Sequence, residues 1–124
     1  MKRWMRKEIK ALVAEYGTVP LPWVVFKEPP YSLRWRMGAG EAHQELWWAW
    51  WPEQGFSEEQ KVAYFRLWPP PHCWLPFLIE AVWGVCTFEE GDILTAYFKR
   101  TAALGFGSQK EYERDLNDPK WHKR

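Results

Sequence analysis

Hydrophobic residues recur with helical spacing along most of this chain. In residues 3–16 they fall on one face of a helix, as Met5, Ile9, Leu12 and Tyr16. Basic residues gather on the opposite face: Arg3, Arg6, Lys7 and Lys10. Gly17 follows directly and is the residue type that most often ends a helix. The pattern predicts an amphipathic first helix whose basic face is most simply a solvated surface.

Five more helices are predicted downstream, at about residues 41–51, 57–68, 74–85, 92–104 and from 108 onward. Ser57 with Gln60 and Ser108 with Glu111 have the spacing of capping boxes, which mark helix starts. Residues 74–85 are apolar nearly all round, as expected of a central helix.

Between the first two helices the period changes. Residues 23–26 are β-branched and aromatic, and residues 31–36 alternate between apolar and polar types. Two prolines, Pro29 and Pro30, lie between these segments and indicate a turn. We therefore predict a small β-hairpin near residues 23–36 that buries Tyr31, Leu33 and Trp35.

These elements predict a mainly α (α+β) fold. Residues 1–117 are expected to form a single globular domain of about six helices around a tryptophan-rich core. Residues 118–124 are expected to be a frayed basic tail.

Eleven of the 124 residues are tryptophan, and four of them lie within residues 47–51. At 100° per residue, Trp47 and Trp50 fall on the apolar side of their helix, beside Leu46. Trp48 falls on the other side. We expect Trp47 and Trp50 in the core and Trp48 at the surface, available to a partner.

Charge is distributed unevenly although the net charge is only +1. Residues 1–36 carry eight basic and three acidic side chains, residues 37–95 two and nine, and residues 96–124 seven and four. Such segregation either produces charged faces that steer a partner or reflects segments that pair within the fold. The two cysteines and the lack of a long apolar run predict a cytoplasmic protein without a membrane segment.

The most distinctive local pattern is Arg34 and Arg36 followed by a glycine turn and Glu41. Two arginines on one strand face beside a helix start could hold an anion. Alternatively, Glu41 occupies the positive end of the helix itself and the arginines are ordinary surface residues.

His43 and Glu45 lie on the same helix as Trp48 and complete the candidate binding residues. No spacing of histidines and cysteines predicts a metal site, and no cofactor is indicated. Glu80, alone in an apolar run, would have a raised pKa if buried. No catalytic residue can be assigned, so enzymatic activity lacks support from the sequence.

The leading hypothesis is a protein that acts by binding another macromolecule, either a protein partner or a second copy of itself. One form of it is neutralisation of a basic toxin by the acidic middle segment. The alternatives are a small-molecule or sugar-binding domain with a tryptophan-lined pocket and, less favoured by the acidic tryptophan-rich stretch, single-stranded nucleic-acid binding.

Overall fold

A computed structural model describes residues 1–85 and 92–122 of the chain. Its secondary structure is helical throughout the described residues. The helices are α1 (Arg3–Tyr16), α2 (Pro22–Val25), α3 (Gly38–Trp50), α4 (Glu58–Leu67), α5 (Leu75–Trp83), α6 (Asp92–Ala103) and α7 (Gln109–Leu116). Four short 3-10 helices lie at Leu33–Arg36, Trp51–Gln54, His72–Trp74 and Pro119–His122. The prediction of a mainly α protein is confirmed.

The predicted β-hairpin is wrong, because residues 23–36 form no strand. Pro22 starts the short helix α2, in which the Phe26 amide donates to the Pro22 carbonyl at 3.0 Å. A proline fits this first helical position, where its missing N–H would have no partner anyway. Ser32 then caps the second helical segment by accepting a hydrogen bond from the Arg34 amide at 3.2 Å.

The chain divides into two compact units, Met1–Phe56 and Ser57–Arg124. The prediction of a single domain over residues 1–117 stays a prediction. Within the first unit, α3 contacts α1, α2 and the Leu33–Arg36 turn. Within the second, α5 packs against both α4 and α6, as expected of a central helix.

Aromatic rings form much of the core of the first unit. Trp47 is fully buried and stacks on Trp51 at 4.8 Å between ring centroids, with 20° between the ring planes. Trp50 is also buried. The helical phasing of Trp47 and Trp50 is thus confirmed.

In the second unit, Asp115 joins the end of the chain to the start of α5. Its carboxylate accepts hydrogen bonds from the Cys73 amide at 2.9 Å and the Trp121 indole at 3.2 Å, and it pairs with Lys120 at 2.9 Å. Although burial opposes ionisation of Asp115, these hydrogen bonds hold its pKa below the ordinary value. Lys120 and Trp121 belong to the 3-10 helix Pro119–His122. The fraying of residues 118–124 in solution stays a prediction.

The Leu33–Arg36 turn lies so close to α3 that only glycine fits at position 40. A Cβ atom on Gly40 would lie 2.3 Å from the Arg34 carbonyl oxygen, far inside the contact distance. Gly40 has no positive φ, so its role is close approach and not backbone conformation.

We predict that Gly40→Ala destabilises the protein by about 1–3 kcal/mol, because the added methyl must push the turn away from α3. The measurement is the free energy of unfolding in urea. Gln44→Ala, a half-buried position on the same helix, should change it by less than about 0.5 kcal/mol. Equal stability of Gly40→Ala and wild type would show that the turn does not pack this closely.

Candidate functional site

The segment between α2 and α3, residues 26–37, forms a loop fixed from inside by Trp35; we call it the 26–37 loop. Trp35 is buried, and its indole Nε1 donates to the Pro29 carbonyl at 2.9 Å. Its ring meets Phe26 edge-on at 5.7 Å. The backbone closes around it, with the Ser32 amide donating to the Pro29 carbonyl at 3.0 Å. The loop is therefore held by its own contacts.

Arg34 is engaged within this loop. Its guanidinium lies 4.9 Å above the Phe26 ring, and its Nε donates to Glu28 at 3.4 Å. Arg36 is exposed and forms no ion pair with any described residue. Of the two predicted anion ligands, only Arg36 thus carries an uncompensated charge.

Three apolar side chains of the loop face solvent. Leu33 is 65% exposed, Met37 63% and Tyr31 44%. The alternation of residues 31–36 predicts Tyr31, Leu33 and Trp35 in the core. This prediction is wrong for Tyr31 and Leu33, which are exposed. In a 3-10 turn, successive residues point in three directions, so a period of two does not bury one side.

The remaining predicted site residues lie along α3. Glu41 is exposed in its first turn, where a carboxylate favours the positive end of the helix. Glu45 pairs with Lys2 at 3.0 Å. Trp48 is half-buried and meets Trp47 edge-on at 4.8 Å. The expectation that Trp48 faces a partner stays a prediction.

His43 is a buried, hydrogen-bonded residue. Its Nε2 lies 2.9 Å from the Pro20 carbonyl oxygen. A carbonyl only accepts, so Nε2 carries the proton and donates, which leaves Nδ1 of the neutral ring as an acceptor. Burial lowers the pKa of His43, although the hydrogen bond to Pro20 and the negative charge of Glu8 oppose this effect.

A cleft of about 330 Å³ opens beside His43 in the first unit. Side chains from α1, the α2 region and α3 line it: Trp4, Glu8, Leu12, Val25, Phe26, Ala39, Ala42, His43 and Leu46. This cleft was not predicted from the sequence. The sequence pattern that indicates the cleft is the i, i+4 spacing of Trp4, Glu8 and Leu12, which places one carboxylate between two apolar residues on one face of α1.

The second unit holds the remaining groups with potential chemistry. Burial and a hydrogen bond to Asp115 raise the pKa of the Cys73 thiol, which makes it a poor nucleophile. Burial also raises the pKa of half-buried Glu80, as its place in an apolar run predicts. Within the described residues, histidines, cysteines and carboxylates nowhere gather in threes that could hold a metal ion. Cys86 lies outside the described residues.

Comparisons with known protein families, with curated proteins and with solved structures find no match to this chain. Among the described residues, each helix is too short or too polar to cross a bilayer.

We predict that the protein loses stability on acidification because His43 is kept neutral in the fold. The unfolded chain, with an ordinary histidine pKa of about 6.5, takes up a proton before the folded chain does. The melting temperature should therefore fall between about pH 7.5 and about pH 5.5. In His43→Gln, whose side-chain amide can donate to Pro20 in place of Nε2, this part of the fall should disappear. An unchanged pH dependence in the variant would contradict the assignment.

Proposed function

We propose that this chain acts by binding a protein partner through the exposed side of the 26–37 loop. The observation that carries the proposal is the exposure of Leu33 and Met37, each more than three-fifths accessible, beside Tyr31 and Arg36. Tyrosine, methionine and arginine are enriched at protein interfaces relative to the rest of a protein surface.

The anchoring of the loop supports the proposal. Flexible loops lose conformational entropy when they bind, which weakens association. Here Trp35, Phe26 and Pro29 already hold the backbone in one arrangement. A partner would therefore meet a preformed apolar surface.

The charge around the apolar side chains supports an acidic partner. Arg36 has no ion-pair partner among the described residues, whereas Arg34 pairs with Glu28 at 3.4 Å. Complementary charge raises the association rate and disfavours partners of the same sign. A partner with an apolar depression bordered by carboxylates fits this surface best.

Neutralisation of a basic toxin would use a different surface, the acidic middle segment. Two of its carboxylates are already engaged within the protein, Glu45 with Lys2 at 3.0 Å and Glu58 with the Trp83 indole at 2.7 Å. We therefore favour the 26–37 loop over this segment.

The test begins with a photo-crosslinking residue, p-benzoylphenylalanine, in place of Tyr31 in the cells of origin. The protein that it captures is purified, and its affinity for variants is measured by calorimetry. We expect Leu33→Ser to weaken binding about 10- to 100-fold, as loss of a central interface residue does. Leu67→Ser is the matched control, since Leu67 is 61% exposed but belongs to α4 in the other unit; it should bind as wild type does.

Equal affinity of Leu33→Ser and wild type for the captured protein would overturn the proposal. A complex that nuclease treatment abolishes would instead favour nucleic-acid binding, for which the basic face of α1 is the available surface. A crosslink between two copies of the chain would replace the partner by self-association.

A further inference from the structure

The cleft of the first unit has the form of a ligand site. Small residues on α3 leave the space: Ala39 and Ala42 lie on the same stripe of the helix as His43 and Leu46. Opposite them, α1 contributes Trp4, Glu8 and Leu12. A volume of about 330 Å³ is at the lower end of the range of small-molecule sites in proteins.

The polar groups that line the cleft both attract positive charge. Glu8 is exposed and forms no ion pair with a described residue. Its neighbours one turn away on α1 are Trp4 and Leu12, so no cation of the helix is in position to neutralise it. His43 donates through Nε2 to Pro20, which leaves Nδ1 as an acceptor.

The aromatic rings of the cleft add to this preference. Trp4 is 41% exposed, and Phe26 lines the same cleft. Aromatic faces carry negative electrostatic potential and attract organic cations, tryptophan most strongly. The Arg34 guanidinium already lies 4.9 Å over the Phe26 ring, so Trp4 is the aromatic side chain that we expect to meet a ligand cation.

We propose that this cleft binds a small organic ammonium ion that carries an apolar or aromatic group. The ammonium would lie between the Glu8 carboxylate and the His43 ring, and its apolar portion would lie against Leu12, Ala42 and Leu46. An anionic or purely apolar ligand of the same size would leave Glu8 without compensation. The site is separate from the exposed side of the 26–37 loop, so this inference does not depend on the proposed protein partner.

The test uses three probes of nearly equal size: phenethylamine, 2-phenylethanol and phenylacetate. Binding to the full chain at neutral pH is followed by tryptophan fluorescence and confirmed by calorimetry. We expect saturable binding of phenethylamine, at least about tenfold tighter than binding of 2-phenylethanol, and none of phenylacetate. Three equal affinities, or no binding of phenethylamine, would overturn the proposal.

Two substitutions on α1 localise the effect. Glu8→Gln should weaken the binding of phenethylamine about tenfold and leave the binding of 2-phenylethanol unchanged, because only the charge is removed. Glu15→Gln removes an equal charge from the same helix outside the cleft and should change neither. Ala39→Leu, which fills the cleft from an exposed position, should abolish binding of both. Equal weakening of phenethylamine binding by Glu8→Gln and Glu15→Gln would show that the protein's overall charge attracts the probe. The assignment of the binding site to the cleft would then be wrong.

Discussion

The Trp35 indole holds the 26–37 loop in place, and the proposed binding surface of the first unit depends on that contact. With its ring buried and its N–H bonded to the Pro29 carbonyl, the backbone on either side has little freedom. Gly40 completes the arrangement by letting the Arg34 carbonyl approach α3. Leu33 and Met37 of this loop are exposed, whereas Trp35 is buried.

Of the seven α-helices in the described residues, the six longer ones were predictable from hydrophobic spacing and local capping signals, whereas α2 was not. The capping boxes at Ser57 and Ser108 are both formed, and Gly17 ends α1 with a positive φ as expected. The prediction of a β-hairpin was wrong because the pattern on which it rested is ambiguous. Alternation over six residues is also compatible with a short 3-10 turn, and the Ser32 cap with Pro22 at a helix start decides between them.

The candidate site was only partly visible in the sequence. Arg36 and Glu41 are exposed as surface residues should be, whereas the role of Arg34 depends on Glu28 and Phe26, which only the folded loop brings to it. His43 could be named as a candidate binding residue, but its hydrogen-bond partner, the Pro20 carbonyl, is 23 positions away. The cleft needs three elements to meet, and no local pattern predicts such a meeting.

Hydrogen exchange of the Trp35 indole N–H and of the Ser32 and Trp35 amides, followed by NMR, tests the rigid loop most directly. These groups donate to the Pro29 and Ser32 carbonyls. If the loop is held as described, these three N–H groups exchange as slowly as the amides in the middle of α3, because the loop and α3 open together. Exchange at the rate of an unprotected peptide while α3 stays protected would contradict the account.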